Sequence, residues 1–516
     1  MRATNLGFTG KLNQLAIAVL LTALCSAGAQ ASDIERQCHK LYRLTDVSHA
    51  IEPGIPVAAS DELLAHCKVR GVVNRAIRFE VRLPMAGWNG RMMFTAVGGA
   101  AGVIGDTTSL LADGFAMAST DTGHEISEGF EFYRQPEAAI DYAYRGVHLA
   151  TLASKRVISE FYGRDIDHAY LTGCSNGGRA ALLEAIRFPD DYDGIIAGAP
   201  AFRFQEFASW MIAMDRLQSA HPLTDESLLL LDNASREACD GIDGVEDGVI
   251  DDPRLCTADV LDLDALACAD GQAEGCLTEG QIATARGHYQ DQTDAAGEVV
   301  SAGVPPGAEA AGDWAFWMQP NEQFGEESPI GSMDDLLALL MRYETDFNVD
   351  DYDPAEDRNR ITEVTTSLDV RSGDLSEFRD RGGKLLMYQG WNDYPLRPQR
   401  AIDYLGKVEQ AMGGPEATGS FLRLFMVPGM THCAGGPGPW QVDYVKPLVA
   451  WREEGKAPER IVGTQPGPVE FDHLAPDARA VQPHRFTRPL CPYPEYAKYS
   501  GDGDQNDERN FDCVTP

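Results

Sequence analysis

The sequence predicts an α/β fold: a mostly parallel sheet between helical layers, interrupted by a large inserted cap. Three observations carry this prediction. Strand-like apolar runs alternate with helical spacing between residues 76 and 200. The alternation weakens from 204 to 370, where the chain is acidic and rich in turns. It returns at 384–388 and 422–427, two apolar runs that each lead into a glycine turn. Such alternation predicts parallel strands with helices on both faces.

The elements follow in order. Residues 76–83 read as a strand, Trp88-Asn89-Gly90 as a turn and 92–97 as a second strand. Helical spacing covers 140–162. Residues 168–172 form a short strand that runs into a Gly-Cys-Ser turn, followed by a helix over 178–188 and a buried strand over 192–197. The resulting organisation is a leader at 1–31, a catalytic domain at 32–203 and 371–516, and a cap at 204–370.

Composition narrows the function. A chain of 516 residues can bury a large core and form one or two domains. The formal charge of −36 argues against nucleic acid or an anionic membrane surface as a partner. Arg2 and Lys11 precede a mostly apolar run at 15–24 that is short for a bilayer span. With Ala29-Gln30-Ala31 it reads as a cleavable export signal, leaving Ser32 or a residue near it first. Cys25 follows Leu24, which is not small, so plain cleavage is favoured over lipidation. A secreted or periplasmic location is expected, with no later membrane span; the sequence does not address oligomeric state.

Export permits disulfides. Of the 11 cysteines, ten remain after the leader. Connectivity does not follow from sequence alone. Local spacing favours Cys38–Cys67, Cys239–Cys256, Cys268–Cys276 and Cys491–Cys513, which leaves Cys174 and Cys433.

The chemistry centres on Gly173-Cys174-Ser175-Asn176-Gly177, a G-x-S-x-G nucleophile elbow. A serine hydroxyl needs a base to become a good nucleophile. The elbow lifts Ser175 clear of the sheet and turns the Asn176 N–H toward the reacting centre, where it is expected to serve as an oxyanion donor. The expected chain order is serine, acid, histidine. Asp393 follows an apolar strand and a glycine turn, and His432 follows the strand at 422–427. Asp369 and Asp374 compete for the acid role by count alone. A second oxyanion donor is expected from Gly98 or Gly99, where glycine lets backbone approach the substrate. If Ser175 and His432 meet, Cys174 and Cys433 are neighbours too.

These motifs resemble the tannase and feruloyl esterase family. The resemblance runs from about Phe79 to the C-terminus. It rests on Trp88-Asn89-Gly90-Arg91, Ala118-Ser119-Thr120-Asp121-Thr122-Gly123-His124, the elbow through Gly178-Arg179, Asp193-Gly194-Ile195-Ile196-Ala197-Gly198-Ala199-Pro200, Gly390-Trp391-Asn392-Asp393 and His432-Cys433. It implies an α/β-hydrolase fold, the triad Ser175, Asp393 and His432, and a Cys174–Cys433 disulfide beside it. As part of a family motif, Asp121 and His124 are expected to buttress the core rather than bind metal.

Residues 240–249 alternate acids with glycines. Calcium takes several oxygens from a tight loop of this kind, and an acidic surface turn is the competing reading. The resemblance implies a structural calcium ion held by the carboxylates of Asp240, Asp243 and Asp247 and the carbonyls of Val245 and Val249.

The expected activity is hydrolysis of an aromatic-acid ester through an acyl-enzyme. Feruloyl, galloyl and terephthaloyl esters are the alternatives for the substrate. A secreted peptidase and a non-catalytic, calcium-stabilised envelope binding protein are the rival classes. Trp210, Trp314, Phe316, Trp317 and Phe324 are candidates to stack on a substrate ring, against a competing role in packing the cap. Tyr394 and Leu396 are further pocket candidates.

Overall fold

The computed structural model describes residues 33–61, 63–257, 260–272, 274–293, 296–297, 299–321, 328–341, 348–353, 357–467 and 485–516. The leader at 1–31 and Phe324 lie outside the described residues.

A ten-stranded sheet organises the described residues. Its strands are β1 (His49–Ile51), β2 (Ile55–Val57), β3 (His66–Val73), β4 (Ile77–Pro84), β5 (Arg91–Ala96), β6 (Ala116–Thr120), β7 (His168–Cys174), β8 (Gly194–Gly198), β9 (Lys384–Gly390) and β10 (Leu422–Val427). They lie in the order β1-β3-β4-β6-β5-β7-β8-β9-β10, with β2 also on β3. The half from β6 to β10 is parallel. The pairs β3–β4 and β4–β6 are antiparallel. The fold is that of an α/β hydrolase.

The parallel strands read as unbroken apolar runs because both faces are buried. Phe94, Leu171, Ile195, Met387 and Leu424 point to one apolar cluster. Their immediate neighbours Met93, Tyr170, Ile196, Leu386 and Phe425 point to the other. This is the two-residue period of a strand. The first cluster packs on α1 (Gly146–Tyr162) and α2 (Asn176–Arg187), the second on a helix at Val445–Glu454.

Four strands of the sheet, β1, β2, β3 and β6, are additions to the sequence reading. The helix expected over 140–162 divides into an α-turn at Pro136–Ile140, a π-turn at Asp141–Arg145 and α1. Buried Arg179 from α2 donates to the carbonyls of Tyr142 and Ala143 at 3.3 and 2.8 Å, which supports the widened turn.

Between β8 and β9 the described chain is mainly helical, with α3 (Phe204–Ala220), α4 (Asp225–Cys239), α5 (Glu279–Tyr289) and α6 (Asp313–Met318) among its elements. Its apolar cluster contains Trp210, Leu231, Trp314 and Leu337 and takes in Phe132, Tyr142 and Tyr394 from the sheet side. The segment is therefore seated on the sheet. No helix among the described residues is long and apolar enough to cross a membrane.

Five disulfides join Cys38–Cys67, Cys174–Cys433, Cys239–Cys256, Cys268–Cys276 and Cys491–Cys513 among the described residues.

Helix α2 meets the sheet without room for side chains. A Cβ on Gly178 would lie 2.2 Å from the Gly198 carbonyl oxygen, and one on Gly177 would lie 2.5 Å from that of Ala96. Backbone cannot yield cheaply there. Gly178→Ala is expected to cost about 3 kcal/mol in a urea unfolding titration.

Candidate active site

The parallel strands deliver the candidate residues to one edge. Cys174 at the end of β7 pairs with Gly198, and Gly390 at the end of β9 pairs with Val427. Ser175, Asp393 and His432 follow these ends, where open α/β sheets bind ligands.

Ser175 sits at the turn into α2 with φ 62° and ψ −125°, a conformation that L-residues rarely hold. Its surroundings enforce it. The Ser175 N–H donates to the Gly198 carbonyl at 3.0 Å, and its carbonyl accepts from Arg179 N at 2.9 Å. A Cβ on Gly173 would lie 2.5 Å from the Gly177 carbonyl oxygen. Asn176 opens the helix, where backbone N–H groups lack helical partners.

Asp393 is fully buried. Its Oδ1 accepts from Leu396 N at 2.9 Å, and its Oδ2 accepts from Gln389 Nε2 at 2.9 Å. The same Oδ2 lies 3.0 Å from His432 Nδ1. The carboxylate therefore holds the ring by Nδ1 and leaves Nε2 for proton transfer. Burial pulls the His432 pKa down, but the charge and hydrogen bond of Asp393, with the charge of Asp313, outweigh it and raise it. On the far side, Nε2 lies 3.8 Å from Cys433 Sγ, the sulfur joined to Cys174. The disulfide brings the Cα atoms of residues 174 and 433 to 6.0 Å, one residue from Ser175 and His432.

The 98–99 loop overhangs this edge. A Cβ on Gly98 would lie 3.1 Å from the Cys174 carbonyl oxygen and 3.5 Å from Ser175 Cβ. Gly99 has φ 56° and faces open space. Its carbonyl accepts from Tyr142 Oη and Asn176 Nδ2, both at 2.8 Å. His124 braces the same loop, and Asp121 ties the start of β4 to the turn that carries His124. Asp121 accepts from Arg78 N and Gly123 N at 3.0 and 2.8 Å, and His124 Nε2 bonds the Ala100 carbonyl at 2.6 Å.

Three nearby residues escaped the sequence reading. Gln389 locks Asp393 from within β9, and only a polar residue in an apolar strand hints at it. Asp313, at the start of α6, is fully buried and accepts from the N–H groups of both Tyr394 and His432 at 3.1 Å. Arg397 is fully buried, with its guanidinium 3.7 Å above the Trp210 ring centre. Its three nitrogens make no hydrogen bond among the described residues, and burial pulls its pKa well below the usual arginine value.

The aromatic candidates separate by position. Trp210, Trp314 and Tyr394 are buried against one another, with ring centres 4.9 to 5.2 Å apart in the contacts Tyr394 makes. Leu396 is buried too. Trp317 is half-buried, with its ring 6.2 Å from the His432 ring, edge to face. Phe316 packs beside it at 5.6 Å.

In the 240–251 loop, Gly244 and Gly248 take φ of 98° and 85°, which curls the acids together. Asp243 Oδ1 accepts from Val245 N at 3.0 Å, while its buried Oδ2 has no hydrogen-bond partner. Asp251, absent from the sequence-derived set, is buried with neither carboxylate oxygen partnered. Burial pushes Asp240 up to about 6 and also raises Asp247 and Asp251. Buried carboxylate oxygens without partners are the donors a hard cation requires, so these residues fit calcium. Asp247 also pairs with Arg488.

The geometry defines a hydrolase edge with an elbow serine and an aspartate-bound histidine. The family described as "Tannase and feruloyl esterase" matches residues 62–514. A mono(2-hydroxyethyl) terephthalate hydrolase of Piscinibacter sakaiensis is 32% identical over 89% of this chain and 86% of its own. A probable feruloyl esterase B-2 of Neosartorya fischeri is 29% identical over 83% and 82%. The crystal structure of feruloyl esterase B from Aspergillus oryzae superimposes with a TM-score of 0.78 at 27% identity, covering 93% of this chain and 100% of that one. The chain belongs to the tannase and feruloyl esterase family, and it is a carboxylic ester hydrolase.

A base works only when neutral. With His432 as the proposed base and its pKa raised by Asp393, kcat/KM should fall on acidification, with its acid limb at higher pH than an unperturbed histidine would give. A pH profile of ester hydrolysis checks this.

Proposed function

We propose that the chain hydrolyses esters of aromatic acids through an acyl-enzyme on Ser175. The observation that carries this reading is the Asp393–His432 hydrogen bond, crosslinked one residue away from the elbow serine. Ser175 Oγ attacks the ester carbonyl carbon while His432 Nε2 takes its proton. The N–H groups of Asn176 and of Gly98 or Gly99 hold the oxyanion. Of the two glycines, Gly98 is favoured by its closeness to Ser175. Collapse breaks the ester bond, and the alcohol leaves with the proton from His432. Water then attacks the acyl carbon, giving its proton to His432. The acid departs, and Ser175 regains its hydrogen.

An aromatic acyl group is supported by Trp317 beside His432 and by the names of the relatives. Among aromatic acids we favour a feruloyl type, with galloyl and terephthaloyl esters as the alternatives. Residues 204–370 act as a cap over the site. Secretion or periplasmic export is supported by five disulfides, which persist in oxidising compartments. A calcium ion held by Asp240, Asp243, Asp247, Asp251 and the carbonyls of Val245 and Val249 stabilises the cap and takes no part in the chemistry.

Ser175→Ala should reduce hydrolysis of feruloyl, galloyl and terephthaloyl esters by a factor of about 10⁵ or more, and retained turnover would overturn the serine mechanism. A comparison of kcat/KM across the three esters ranks the acyl group. Chelation by EDTA should lower the melting temperature, and added calcium should restore it. An unchanged melt would remove calcium from the proposal.

A further inference from the structure

Asp313 carries a consequence for the triad, and it rests on the triad reading above. The carboxylate belongs to the segment between β8 and β9, yet it is fully buried at the sheet edge. Its Oδ2 alone accepts both N–H groups, from Tyr394 and His432, each at 3.1 Å. Tyr394 follows Asp393 directly. One oxygen therefore ties the backbone of the acid loop to the backbone of the base loop. Helix α6 reinforces the clasp, with the Trp314 ring centre 5.2 Å from that of Tyr394 and the Trp317 ring 6.2 Å from that of His432.

A neutral amide oxygen could also accept the two bonds. The anion is costly here, because Oδ1 is buried without a hydrogen-bond partner. A buried charge kept beside a histidine that must become cationic during turnover has an electrostatic use. We propose that Asp313 is a positioning residue of the active centre: it clasps the Asp393 and His432 loops and supplies a second negative charge to the His432 imidazolium. The cap thereby completes the catalytic edge as well as covering it.

The electrostatics agree. Burial, with the charge of Asp393, pushes Asp313 up to about 7, and a protonated His432 draws it back down. A cation on His432 therefore favours the anion on Asp313. Among the described residues, the other ionisable groups around this cluster include Arg397 and Arg400, on which the charge of Asp393 acts, the phenols of Tyr388 and Tyr394, Asp215, which acts on Tyr394, and His288, whose ring centre lies 5.6 Å from that of Tyr394. None of them carries a second anion to His432.

Two variants separate the clasp from the charge. In Asp313→Asn the amide oxygen still accepts both N–H groups, and only the charge is lost. In Asp313→Ala both bonds go. With melting temperature as the folding check, Asp313→Asn should move the acid limb of kcat/KM to lower pH by about half a pH unit and lower kcat about fivefold. The sign follows because losing a neighbouring anion lowers the histidine pKa. Asp313→Ala should lower kcat about 100-fold with KM within about threefold of wild type. An acid limb unmoved in Asp313→Asn overturns the charge role, and kcat within twofold of wild type in Asp313→Ala overturns the clasp. If Asp313→Ala does not fold, the pH profile of Asp313→Asn decides alone. Failure of the triad reading shows separately, as activity retained in Ser175→Ala.

Discussion

The Cys174–Cys433 crosslink is the constraint on which the rest of the catalytic edge depends. It joins residues 259 positions apart and spans the whole insertion between β8 and β9. Closing so long a loop in the unfolded chain is worth about 5 kcal/mol in the chain-entropy description. Its placement matters more than its energy. Ser175 and Cys433 both hold left-handed backbone, with φ of 62° and 68°. Two such positions persist only where surrounding structure over-determines them. The covalent bond does this from one side, and the glycine packing of α2 on the sheet does it from the other.

Around that bond lies a dense set of buried charges. Asp393 and Asp313 supply the acids, Arg397 and Arg400 the guanidinium groups, and His432 is the group that changes charge in the proposed mechanism. Each would be costly alone in a dry interior. Gln389, Leu396 N, Tyr394 N and His432 N satisfy most of the carboxylate oxygens and fix their positions. Electrostatic preorganisation of this kind costs little at the moment of reaction, because the dipoles are already aimed.

The segment between β8 and β9 packs directly against the loop that carries Asp393. Trp210, Trp314 and Tyr394 form a shared core between the two parts, and Asn392 Nδ2 donates to the Pro306 carbonyl at 3.1 Å. The residues flanking Asp393 are therefore held from above as well as from the sheet. Of the aromatic residues that look like substrate platforms in the sequence, Trp210, Trp314 and Tyr394 belong to this shared core. Trp317 differs because α6 turns it toward His432.

The sequence by itself determined the sheet edge. Glycines around Ser175 permit the tight elbow and the close approach of helix to sheet, and apolar runs ending in glycine turns brought Asp393 and His432 after strands β9 and β10. Near neighbours along the chain likewise announced four of the disulfides. The start of the sheet was less legible, because β3 carries charges at alternate positions and β6 is a short run of small residues. Tertiary structure alone decided the supporting groups. Asp313 lies 80 positions before Asp393 in the numbering and looks like any acid of a strongly acidic segment. Arg397 and Asp251 look like ordinary surface charges. Their meaning comes from burial and from which polar atoms are left without partners, and those are properties of packing between distant segments that no local pattern encodes.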